Sequence, residues 1–288
     1  MRITLAQIDS GTDVERNLEL MENYCARAVQ EGSDLIVFPE YATYEKSRVD
    51  RSFVDMAEPL DGPVAARLSA MAGRHGITVV AGLLEASGER EGSGERDRAF
   101  NTLVVFGPDG SRLASYRKIH LFDCQGFRES EYIKPAPEPL PVTFSCGGTT
   151  FGLMTCYDLR FPELARILAD AGAQVLLVCS SWVPGTAKTE QWATLAKARA
   201  IENGVFVAAV SQTPPVSIGY SMLIDPMGTV LHCPGYGAGH RNPGHFNRRC
   251  SGGPGPISHV EAPPAPLKSA RSRERAPRSL HQESHDPF

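Results

Sequence analysis

Four short stretches of this chain are apolar at nearly every position: Leu35-Ile-Val-Phe38, Ile77–Leu84, Val175-Leu-Leu-Val-Cys179 and Val205–Ser211. A strand written this way has no side suited to water, so it belongs inside a sheet covered on both faces. The cover is legible as amphipathic helices. Thr12 or Asp13 can cap a helix carrying Val14, Leu18, Met21, Cys25 and Val29 on one face, with Gly32 ending it. Gly62-Pro63 opens a second (Val64, Leu68, Met71), and a third carries Leu164, Ile167 and Leu168. The fourth, Thr189–Asn203, presents Trp192, Leu195, Ala196 and Ile201 before Gly204. An alternating strand opens the chain at Arg2–Gln7. Three hairpins are marked by their turns: Ala99–Phe106 with Arg112–Ile119 around Gly107-Pro-Asp-Gly110, Val142–Phe144 with Thr149–Thr155 around Gly147-Gly148, and Tyr220–Ile224 with Thr229–Leu231 around Asp225-Pro-Met-Gly228. Strand–helix units interleaved with hairpins predict an α/β fold: two mixed sheets face to face with helices outside, a four-layer α-β-β-α sandwich.

Composition narrows the functional classes. A hydrophobic content of 42% and a charged content of 22% are those of an ordinary globular protein. A formal net charge of -4 gives no support to nucleic-acid binding. No apolar run is long enough to cross a bilayer, and Met1-Arg-Ile-Thr-Leu5 reads as a strand rather than a signal peptide. The seven cysteines are scattered, without a Cys-x-x-Cys pair or a zinc-like Cys/His spacing. A reduced, cytoplasmic protein is expected, with Cys25, Cys146 and Cys179 as packing residues and no metal.

Chemistry concentrates where strands end. Phe151-Gly-Leu-Met-Thr155 is a buried strand, and Asp158, Pro162 and Glu163 start the helix of Leu164–Leu168, so Cys156 sits at a strand–turn–helix junction. A helix N-terminus there would lower the thiol pKa. A lone cysteine in such a place is more often a packing residue, so the weight rests on its company. Pro39 stops the ladder after Leu35–Phe38 and lets Glu40 project from the strand end, although a solvated loop glutamate is the ordinary alternative. Lys118 lies among apolar neighbours on a return strand, where it needs a carboxylate or a developing oxyanion, or else snorkels to water. Carboxylate, ammonium and thiol together make a coherent set. The carboxylate can take the thiol proton and return it to a leaving amine, while the ammonium and the Tyr157 N–H hold a tetrahedral oxyanion.

Leu35-Ile-Val-Phe-Pro-Glu40, Tyr116-Arg-Lys-Ile-His-Leu121 and Cys156-Tyr-Asp-Leu-Arg-Phe-Pro-Glu163 resemble the three catalytic signatures of the nitrilase superfamily of carbon–nitrogen hydrolases, in the same order. The resemblance spans Met1 to about Leu231. It implies a Glu–Lys–Cys triad: Glu40 as general base, Lys118 as oxyanion stabiliser, Cys156 as nucleophile forming a thioester acyl-enzyme. It also implies a second glutamate near the lysine and the base. Glu129 matches that position best, and Glu131 is the lesser choice. No metal or organic cofactor is implied. The cysteine motif resembles the amidase branches acting on small carboxylated amides, the deaminated-glutathione amidases and ω-amidases, whereas true nitrilases usually carry tryptophan at the position of Tyr157. The expected activity is hydrolysis of a primary amide to acid plus ammonia. The expected partners are a small amide and further copies of the chain, as a dimer or higher homo-oligomer. Nitrile or carbamoyl hydrolysis or acyl transfer by the same triad, or an inactive homologue, are the alternatives. Arg160 holds either a substrate carboxylate or an ion pair with Asp158 or Glu163, and Trp182 with the loop to Lys188 walls the pocket.

After Leu231 the character changes. Residues 232–288 are rich in Pro, Gly, Ser, Arg and His without apolar periodicity. They read as a disordered tail or, by slight preference, as the product of a reading-frame slip, appended to a hydrolase domain at 1–231. An outer sheet edge is then left unpaired. Cys233, His240, His245 and Cys250 lie in this stretch at spacings that do not suit a metal.

Overall fold

A computed structural model describes residues 1–88, 98–232 and 258–261, with backbone alone at 232 and 258–261. The strands are β1 (Arg2–Leu5), β2 (Leu35–Val37), β3 (Thr78–Ala86), β4 (Ala99–Phe106), β5 (Arg112–Arg117), β6 (Ile133–Lys134), β7 (Thr143–Cys146), β8 (Thr149–Thr155), β9 (Val175–Ser180), β10 (Phe206–Ser211), β11 (Met222–Ile224), β12 (Val230–His232) and β13 (Ser258–Glu261). The helices are α1 (Val14–Gln30), α2 (Arg51–Asp55), α3 (Pro63–His75), α4 (Pro162–Asp170) and α5 (Lys188–Asn203). One sheet runs β13-β1-β2-β3-β4-β5, with β6 beside β4; the other runs β12-β11-β10-β9-β8-β7. Both are mixed: β1, β2 and β3 are parallel and β3, β4 and β5 antiparallel, while β8, β9 and β10 are parallel and flanked by antiparallel strands.

The burial pattern explains the apolar runs. Leu35 and Val37 of β2 join Val80, Leu103 and Val105 in a core shared with Leu153, Met154, Leu177 and Val178 of the other sheet. Ile36 and Phe38 point the opposite way, into a second core with Leu18, Met21, Leu68 and Met71 of α1 and α3. Each apolar side chain sealed this way contributes about 1.5–3 kcal/mol, so neither face of these strands tolerates polar alternation. Asp13 is the cap of α1, its carboxylate accepting from the Arg16 N–H at 3.1 Å. Three apolar residues expected on helix core faces lie outside: Val29, Ile167 and Ile201, the last 57% exposed. Ile201 lies against the chain at Gly228 instead of the core.

Two strand ends differ from expectation. The return strand β5 stops at Arg117, although the Lys118 N–H still donates to Asn101 O at 2.9 Å. β13 pairs antiparallel with β1, Arg2 opposite Glu261. Ser258-His-Val-Glu261 shows no strand pattern in the sequence, because an edge strand is held by backbone bonds and needs little side-chain periodicity. Residues 233–257 and 262–288, including the two cysteines and two histidines weighed as metal ligands, lie outside the described residues. Among the described residues no helix is long and apolar enough to cross a membrane.

Candidate active site

Glu40 is delivered by a tight crossing of backbones. After β2 and Pro39 the chain turns at Tyr41, whose φ of 55° is a left-handed conformation costly for a residue with a Cβ. This turn presses on β3 at Gly82. A Cβ there would sit 2.6 Å from Tyr41 N and 2.9 Å from Glu40 Cα, so only glycine fits. The carboxylate is then satisfied on all sides. Oε1 accepts from Lys118 Nζ at 2.9 Å and Asn101 Nδ2 at 2.7 Å; Oε2 accepts from the Ser181 N–H at 2.7 Å. Ser181 follows β9, so this last bond ties the two sheets together at the site.

Lys118 is buried and faces two carboxylates: Glu40, and both oxygens of Glu129 at 2.9 Å each. Burial by itself would lower its pKa, but the Glu129 and Glu40 charges outweigh it and hold the ammonium well above the usual lysine value. Glu129 is locked by the Tyr41 hydroxyl at 2.9 Å and the Phe122 N–H at 2.7 Å. Glu131, the lesser choice for this position, turns outward to Arg128 at 3.5 Å.

Cys156 departs from β8 with φ 46°, again left-handed, at the head of a single 3₁₀ turn, Cys156–Arg160. Strain of about 1–3 kcal/mol per such residue persists only where the surroundings enforce it. Here Asp158 does so. Buried, it accepts from Thr155 N at 2.8 Å, the Tyr116 hydroxyl at 2.6 Å and His120 N at 3.1 Å, and pairs with His120 Nδ1 at 2.7 Å. The Cys156 Sγ lies 3.9 Å from Ser181 O. The expected lowering of the thiol pKa is reversed. Burial first, then the charge of Glu40, raise it well above the ordinary value against the opposing Lys118. The helix effect expected from the sequence does not arise, because α4 begins only at Pro162 and no α-helix N-terminus meets the sulfur.

These groups open into one cavity of about 270 Å³, walled by Tyr41, Phe122, Tyr157 and Trp182 and reached by Arg160 and Lys188. The Tyr157 N–H belongs to the first turn of the 3₁₀ segment, where donors have no partner within the turn. Trp182 is pinned by its indole N–H to Lys188 O at 3.0 Å and packs on Trp192. Arg160 pairs with neither Asp158 nor Glu163, the structural alternative weighed for it, since Asp158 is already saturated. Its Nη2 instead donates to Gln191 Oε1 at 2.7 Å, and the guanidinium lies 5.0 Å above the Trp182 ring.

Sequence reading missed several neighbours. Asn101 donates to Glu40 and interrupts the apolar run Ala99–Phe106, as Gly82 interrupts β3; both interruptions were visible signals. Glu45 had none. It is buried in the cavity wall, its Oε1 accepts from Lys46 N at 2.7 Å and its Oε2 has no partner. Burial pushes its pKa up to about 8, against the Lys46 N–H bond.

Two face-to-face mixed sheets with helices outside match the fold of nitrilase-superfamily amidases. The structure of the amidase from Nesterenkonia sp. AN1 superimposes with a TM-score of 0.70 at 27% identity, covering 91% of this chain and 93% of that one. A mutant of the same amidase in complex with butyramide matches with a TM-score of 0.66 at 28% identity, covering 81% and 86%. The family model for carbon-nitrogen hydrolases matches residues 2–238, and the chain belongs to that family. Among its relatives, Hydrolase Rv0480c of Mycobacterium tuberculosis (strain H37Rv) is 40% identical over 247 residues, 80% of this chain and 84% of that protein. A deaminated glutathione amidase of Synechocystis is 33% identical, covering 78% and 84%, and Omega-amidase NIT2 of Mus musculus 32%, covering 80% and 83%. The protein is an amide-hydrolysing enzyme.

Proposed function

We propose that the enzyme hydrolyses a primary amide of a small carboxylated compound through a thioester on Cys156. The observation that carries this reading is the buried Glu40–Lys118–Glu129 cluster sharing one cavity with the Cys156 thiol. Because the thiol is neutral at rest, its proton must leave as the sulfur attacks, and Glu40 is the neighbouring base. Sγ forms a bond to the amide carbon. The oxygen of the tetrahedral intermediate is held by the Tyr157 N–H and by the Lys118 ammonium, one N–H of which turns to it from a Glu129 oxygen. Collapse breaks the C–N bond, and Glu40 returns its proton to the departing ammonia. Water, deprotonated by Glu40, then attacks the thioester, releasing the carboxylic acid and restoring the thiol. Glu129 fixes Lys118 in place and balances its charge. Arg160, free of any acidic partner among the described residues, is the candidate for the substrate carboxylate.

The free state of Cys25, Cys146 and Cys179 supports a reduced, cytoplasmic setting. The decisive experiment measures ammonia release from short carboxylated amides by the wild type and by Cys156→Ala, with mass spectrometry of the intact chain for the acyl adduct. The variant is expected to lose turnover and the adduct together; ammonia release by Cys156→Ala would exclude this sulfur as nucleophile.

A further inference from the structure

Lys188 opens α5 with its side chain folded into the cavity wall, leaving 5% of the residue exposed. Its ammonium lies 4.7 Å from the centre of the Phe122 ring and 5.5 Å from that of Trp182. The Arg160 guanidinium lies 5.0 Å from the centre of the same indole, and its Nε is buried without a hydrogen-bond partner. Among the described residues no carboxylate pairs with either cation. That is unlike the other buried cations of this fold: Lys118 faces Glu40 and Glu129, and Arg199 pairs with Glu202. Two neighbouring cations on one cavity wall repel each other, an arrangement that becomes favourable when an anion joins them. Burial, and then the charge of Arg160, accordingly depress the lysine pKa.

The backbone keeps this lysine in place. Ala187, just before it, is held left-handed at φ 57°, and the Trp182 indole anchors the Lys188 carbonyl at 3.0 Å.

We propose that Lys188 is a specificity-determining residue: with Arg160 it takes the anionic group of the substrate, so the enzyme selects amides whose acyl chain ends in a carboxylate over neutral amides of the same length. This rests on the reading of the cavity as an amidase site. The aromatic faces of Trp182 and Phe122 support the ammonium through cation–π attraction while the site awaits its ligand.

The test compares kcat/KM for succinamate and for butanamide, which differ by carboxylate against methyl. Wild type is expected to prefer succinamate. In Lys188→Met, which keeps the aliphatic stem, the succinamate-to-butanamide ratio is expected to fall about tenfold or more, as for loss of one charge-assisted bond. Lys188→Arg, keeping the charge, should hold the ratio above that of the Met variant. Parallel losses on both substrates would mark a structural lysine and overturn the proposal, as would equal loss of selectivity in the Arg variant. A wild type that hydrolyses butanamide without preferring succinamate overturns this proposal and leaves the amidase reading standing. A wild type that hydrolyses neither sinks the amidase reading. Calorimetric titration of Cys156→Ala and Cys156→Ala/Lys188→Met with succinamate then judges Lys188 alone: about tenfold weaker binding to the double variant is expected, and equal affinity, or no binding to the single variant, overturns it.

Discussion

Glu45 is a carboxyl group whose charge is decided by its surroundings. With no partner for Oε2 and a pKa raised to about 8 by burial, it remains protonated in the folded chain at neutral pH, whereas the unfolded group titrates at 4.5. Between those values the folded state holds a proton that the unfolded state has released. Stability therefore falls as pH rises through this window, by at most about 1.4 kcal/mol per pH unit. Glu45→Gln keeps the shape without the charge. It is expected to flatten the decline, so that its melting temperature overtakes that of the wild type between pH 5 and pH 9; parallel curves would refute a neutral Glu45. The same logic governs Cys156. A thiol with a raised pKa needs a base at the moment of attack, which supports the role proposed for Glu40.

β3 positions the base without contributing any reacting atom. Gly82 accepts the backbone of Pro39–Tyr41 at a distance no Cβ allows, and the left-handed Tyr41 turns Glu40 toward Lys118 and Ser181. In Gly82→Ala the crossing must widen. Destabilisation of about 1–3 kcal/mol from overpacking is expected, with kcat lower by about a hundredfold because Glu40 is displaced from the nucleophile. Urea unfolding and steady-state kinetics read the two effects separately. Full activity in the alanine variant would mean that the loop after β2 sets Glu40 by itself. α4, by contrast, begins too late to act on the sulfur; the short 3₁₀ turn before it, tied down by Asp158, does the positioning.

At the scale of the whole molecule, the site exists because two sheets meet: Glu40, Lys118 and Glu129 come from one sheet and its connections, Cys156 and Ser181 from the other. β1 is held between β2 and β13, and β13 comes from the stretch whose composition has no core pattern. Removing residues 233–288 is expected to bare the β1 edge, giving a lower melting temperature and larger species on size exclusion; unchanged elution and melting would show that pairing to be dispensable. Much of this architecture was readable beforehand. Apolar runs, turn residues and caps are local signals, and they located the buried strands, three hairpins and four of the helices; Glu40, Lys118 and Cys156 were singled out together by the resemblance of their three motifs to a known family. Periodicity misplaced Val29, Ile167 and Ile201, since it marks an apolar stripe without saying how far the neighbouring sheet covers it. What the sequence determined by itself is the identity and order of the elements, because propensity and patterning act over a few residues. The tertiary structure alone decided the raised pKa of the Cys156 thiol and of Glu45, and the cation pair of Arg160 and Lys188. Charge state and pairing depend on burial and on partners tens of residues away, which no local pattern encodes.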